Sequence, residues 1–107
     1  MWFESLREWR EKGIKCAIAT IVHAKGSTPR QAGAKMVITE TGDIAGSVGG
    51  GIVEYECMKI AEEVIRSQQP VLKEFSLKGE VDGGSGLPCG GICGGTVSVF
   101  VEPDLPS

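Results

Sequence analysis

Apolar and polar positions along this chain follow two periods, one helical and one of two residues. Trp2, Phe3, Leu6 and Trp9 recur at helical spacing with charges opposite, so residues 2–12 are predicted to form a helix that stops at Gly13. A packing helix explains that stripe, and two tryptophans in a short helix also suit a partner or dimer surface. Lys15 to Ala24 is rich in β-branched residues and apolar on both faces, which predicts a central strand. Gly33–Thr39 and Asp43–Ser47 read as a hairpin around the turn Thr41-Gly42-Asp43. Val53, Cys57, Ile60, Ala61 and Val64 then form an amphipathic stripe that Pro70 ends. Val71–Leu77 and Thr96–Val101 read as strands, residues 79–95 as a long loop, and residues 102–107 as a tail.

The predicted order α-β-β-β-α-β-β argues an α+β domain with a mixed β-sheet, an N-terminal helix and one central amphipathic helix. A length of 107 residues allows one domain, residues 1–107. A hydrophobic share of 41% is enough for a core, and a net charge of −3 presents no basic face of the kind nucleic acid requires. No apolar run approaches the ~20 residues of a membrane span, and the charged N-terminus does not read as a signal peptide. The expected compartment is therefore the cytoplasm, with thiols reduced. Cys16 and Cys57 fall on apolar stripes and read as core residues.

Glycine sharpens this picture. The chain has 16, of which five lie in Gly42–Gly51 and seven in Gly83–Gly95. The first block, Gly46-Ser47-Val48-Gly49-Gly50-Gly51, sits between a predicted strand and a helix. Glycine permits positive φ and close backbone approach, and a helix start offers unpaired N–H groups and partial positive charge. That combination suits phosphate or a similar anion, and equally a tight packed turn. It matches neither Gly-x-x-x-x-Gly-Lys-Ser/Thr nor Gly-x-Gly-x-x-Gly. The turn Gly26-Ser27-Thr28-Pro29-Arg30 holds a forked cation on a rigid bend. The second glycine block carries Cys89 and Cys93. Their spacing is not Cys-x-x-Cys, and zinc would need two further ligands where only His23 remains. A reactive thiol among backbone amides is the better functional reading. His23, in an apolar run, reads as a structural strand histidine.

Ala19-Thr-Ile-Val22, Gly26-Ser-Thr-Pro-Arg30, Gly33-Ala-Lys-Met36, Gly46-Ser-Val-Gly-Gly-Gly51 with Glu54, and Cys93-Gly-Gly-Thr-Val-Ser-Val-Phe-Val-Glu-Pro103 together resemble the XdhC/CoxI family. The resemblance runs through nearly the whole chain. It implies a molybdenum cofactor chaperone that binds molybdopterin as cargo. Such a protein holds the cofactor during sulfuration and assists its insertion into xanthine dehydrogenase-type hydroxylases, without turning over substrate itself. Ser27, Pro29, Arg30, Lys35, Gly46, Ser47, Gly49, Gly50, Gly51, Glu54 and Cys93 carry over as cofactor-binding positions. Cys93 is the expected molybdenum contact and Cys89 a weaker one. The implied partners are a molybdenum hydroxylase and a cysteine desulfurase; a homodimer is expected separately, since small carrier domains often bury a ligand site between chains. Family members commonly add a Rossmann domain, so a separate Rossmann-domain chain is a further expected partner and no NAD is expected here. A thiol-redox or sulfur-transfer protein using Cys89 and Cys93, or a docking subunit using the Trp2/Trp9 helix, are the alternatives.

Overall fold

A computed structural model describes residues 1–26, 28, 30–76 and 95–104. Helix α1 (Trp2–Glu11) leads into strand β1 (Cys16–Lys25), followed by β2 (Lys35–Thr39) and β3 (Ile44–Gly46). Helix α2 (Gly51–Ser67) then precedes β4 (Val71–Ser76) and β5 (Thr96–Pro103). The strands form one sheet in the order β3-β2-β1-β5-β4. The α+β class and the central place of β1 are as expected. The expected mixed sheet is instead antiparallel in all four pairings, because α2 carries the chain from one edge strand to the other rather than between sheet neighbours.

The alternation of β1 assigns its residues to two layers. Ala17, Ala19 and Ile21 join Met36, Ile38, Val97, Val99 and Val101 beneath Val53, Cys57, Ala61 and Val64 of α2. Cys16 joins Val37 and Leu6 beneath α1, with Trp2, Trp9 and Ile18 at the margin. Phe3, placed on the apolar stripe by spacing, lies exposed and meets the Trp2 ring edge-on at 5.7 Å.

Local chemistry ends each helix. Gly13, at φ +76°, lets its N–H reach Arg10 O while Ile14 N–H reaches Trp9 O, a paired closure that satisfies the last carbonyls of α1. α2 ends before Pro70, where Gln68 turns left-handed at φ 61° and its side-chain amide donates to Ile65 O at 2.8 Å. In the hairpin, Thr39 Oγ1 accepts from Thr41 N and Asp43 N, fixing the turn around Gly42.

β1 carries a bulge at Val22. Its pairing with β5 steps from Ile21↔Val99 to His23↔Ser98. Both Val22 and His23 are exposed, and His23 is a strand residue of β1 at the surface. β5 runs on to Pro103, two residues beyond the predicted strand, because Ala17 and Ile18 pair with Pro103 and Glu102. No helix among the described residues is long and apolar enough to cross a membrane.

Candidate functional site

The antiparallel order gathers the motif-bearing connections. β1 ends, β2 begins and β3 ends at one end of the sheet, as do the last residue of β4 and the first of β5. The turn bearing Arg30, the glycine loop and the start of α2 therefore all emerge there. Residues 77–94, which carry Cys89 and Cys93, join Ser76 to Gly95 at the same end but lie outside the described residues. Ser27 and Pro29 lie outside them too.

The glycine loop is built around one carboxylate. Glu54 Oε2 accepts from Ser47 Oγ at 2.5 Å, from Gly50 N at 2.8 Å and from Val48 N at 3.2 Å. Ser47 Oγ in turn accepts from Gly49 N at 3.1 Å. Gly49, Gly50 and Gly51 hold φ of 124°, 79° and 59°, a positive-φ run that glycine adopts without side-chain strain. A Cβ on Gly50 or Gly51 would meet nothing within 4 Å, so these two glycines supply backbone conformation and leave an open surface. Gly46 is different: a Cβ there would come within 2.3 Å of Lys35 O. The N–H groups of Gly51 and Ile52, at the positive end of α2, have no acceptor among the described residues.

The cations fall in two places. Arg30 is exposed on the turn, where Thr28 Oγ1 donates to its carbonyl at 2.9 Å, and it makes no ion pair with a described residue. Lys35 Nζ donates to Thr20 Oγ1 at 2.9 Å and lies 5.9 Å from the Trp2 ring centroid. That is the α1 face of the sheet, opposite the layer that holds α2. Arg30, Lys35 and the glycine loop share an end of the sheet, and Lys35 O accepts from Ser47 N at 3.1 Å, but the Lys35 ammonium is engaged by Thr20 and Trp2 on the α1 face. Spacing did not reveal Thr20 and Trp2 as Lys35 partners, because their meeting depends on strand register and on where α1 docks.

Cys16 and Cys57 are buried, as their apolar stripes predict. Desolvation pushes the Cys16 thiol up to about 11 and the Cys57 thiol up to about 12, with Asp104 and Glu54 respectively adding to the rise. Neither is a nucleophile near neutral pH. Trp2 and Trp9 are half-buried against the sheet, so most of the α1 stripe serves packing. A groove of about 260 Å³ runs between α2 and the β2–β3 hairpin, lined by Ile38, Tyr55 and Met58 among others, and includes none of the expected site residues.

These features define a small α+β module whose motif-bearing connections leave and enter one end of an antiparallel sheet. The XdhC and CoxI family matches residues 9–76, and the chain belongs to that family. It is 31% identical to the Escherichia coli (strain K12) protein YqeB over 94% of its length, while covering 18% of YqeB. A solved structure titled as a xanthine dehydrogenase from Bacillus halodurans is 35% identical with a TM-score of 0.81; the match covers 95% of this chain and 30% of that one. The chain therefore corresponds to a minor part of both longer relatives.

Proposed function

We propose that this chain binds the molybdenum cofactor as cargo and assists its sulfuration and insertion into a xanthine dehydrogenase-type hydroxylase. Family membership and the structural relative support a role in molybdenum enzyme maturation. The observation that carries the reading further is the common end of the sheet, which brings an exposed Arg30 and the unpaired N–H groups of Gly51 and Ile52 to the same side of the molecule as both ends of the Cys93 segment.

Those groups fit an anionic, phosphate-bearing cargo. Arg30 offers a forked cation and the α2 terminus offers backbone donors beside a surface free of Cβ atoms. The cofactor, when bound, supplies the molybdenum centre, and Cys93 is the soft ligand this chain would place near it. The chain's own residues hold and orient the cargo without turning it over. In this reading the module works in the cytoplasm as a homodimer, with a molybdenum hydroxylase, a cysteine desulfurase and a separate Rossmann-domain chain as partners, and without NAD.

Reconstitution tests the proposal. Purified chain is mixed with molybdenum cofactor and then with a cofactor-free hydroxylase whose activity is followed. The parent should restore activity, and Arg30→Ala, by loss of one charge-assisted contact, and Cys93→Ala, by loss of the soft ligand, should each lower transfer by about tenfold or more. A parent that never retains cofactor overturns the function. Variants that transfer as well as the parent overturn the site.

A further inference from the structure

We infer that Glu54 is a built-in anion that fills the inner nest of the glycine loop and acts as a positioning residue rather than a cargo ligand. The consequence for cargo rests on the proposed function; the structural claim does not. Three donors converge on the single oxygen Oε2, namely Ser47 Oγ, Val48 N and Gly50 N, and the intervening Gly49 N is taken by Ser47 Oγ. Every N–H from Val48 to Gly50 is therefore satisfied by two side chains of this chain.

Charge and geometry both close that nest to a second anion. An incoming phosphate oxygen would have to displace a carboxylate held by three hydrogen bonds, or lie against it at like-charge repulsion. Glu54 belongs to the first turn of α2, where a negative charge also interacts favourably with the helix terminus. The positive φ values at Gly49 and Gly50 accompany this closure, with the Gly49 N–H donating to Ser47 Oγ and the Gly50 N–H to Glu54 Oε2. A cargo anion must use donors outside this nest.

Amide NMR with inorganic phosphate and acetate as probes tests the assignment on the full chain. In the parent, neither anion should shift the Val48 or Gly50 amide. In Glu54→Ala, exchange at Val48 and Gly50 should speed up about tenfold or more. Acetate should saturably restore the Gly50 signal, while the core amides of Val99 and Val101 stay protected. Glu54→Gln keeps an acceptor without the charge, and should fold and show intermediate exchange at Gly50 even if the alanine variant does not fold. Parent-like exchange at Gly50 in Glu54→Gln, or phosphate shifting Val48 and Gly50 in the parent, would overturn the assignment. Cofactor retention is measured separately, so loss of the proposed function leaves these amide results standing.

Discussion

At the scale of single residues, conformation and desolvation decide more than side-chain chemistry. Gly46 sits at φ +83°, with Lys35 O where a Cβ would go and Trp2 Cβ 3.1 Å from the same point. Gly46→Ala should therefore destabilise the fold by about 3 kcal/mol, combining left-handed strain with overpacking, as read from the urea midpoint. Unchanged stability would show that the β3–α2 junction yields. The buried thiols give a second expectation. Burial raises the Cys16 and Cys57 pKa above the ordinary 9.0, so the unfolded chain releases these protons first. Their contribution is fully present below about pH 9 and is lost as the pH rises toward 11 and 12. Stability should fall across that alkaline window, and Cys16→Ser with Cys57→Ser should flatten the slope. At pH 8 in the native state a thiol reagent should leave both untouched, and any rapid labelling should map to Cys89 or Cys93. These two core cysteines were legible in the sequence because each lies on an apolar stripe. The bonds from Ser47, Val48 and Gly50 to Glu54 were not, because a spacing of four to seven residues does not say which way a carboxylate folds back.

At the scale of elements, both helices and all five strands among the described residues were legible from periodicity, and the differences at their ends have local causes. β5 runs beyond its apolar alternation because backbone pairing with Ala17 and Ile18 continues under Glu102 and Pro103. His23 lies in β1 as a strand histidine, and the bulge at Val22 alters the phase of the strand after Ile21 so that its side chain is exposed. α1 is tied to the far end of the sheet by a two-pronged ion pair, Arg10 Nε and Nη2 to the Asp104 carboxylate at 2.8 and 2.5 Å. Asp104 is only 7% exposed, whereas Arg10 is 50% exposed, so solvent screens much of the attraction. A double-mutant cycle of Arg10→Ala with Asp104→Asn should return a coupling of about 1 kcal/mol. A coupling near zero would mean that α1 is held by Leu6, Trp2 and Trp9 alone.

At the scale of the whole molecule, the two faces of the sheet are unequally covered. α2 covers its side across β1, β5 and β4, while α1 lies mainly over β1, β2 and β3. Leu72, cross-strand partner of Phe100, is consequently 64% exposed. Leu72→Lys should change stability by no more than about 0.5 kcal/mol, against about 2–5 kcal/mol lost for Met36→Ala beneath α2. Comparable losses at both positions would contradict this assignment of core and surface. That the Arg30 turn, the glycine loop and the strand ends at Ser76 and Thr96 lie at one end became legible only with the strand order. Spacing alone does not show that β1 pairs with β5 and that every neighbour is antiparallel. An anionic molybdenum cofactor held at this end, as proposed, would be retained by the purified chain. Purified chain is passed through gel filtration with the cofactor, and molybdenum per chain is determined for the parent, for Arg30→Ala and for Arg66→Ala. Arg66, in the last turn of α2, is the control cation. Parent and Arg66→Ala should co-elute with molybdenum while Arg30→Ala retains about a tenth as much. Equal retention by all three, or none by the parent, would rule out cofactor binding through Arg30 at this end.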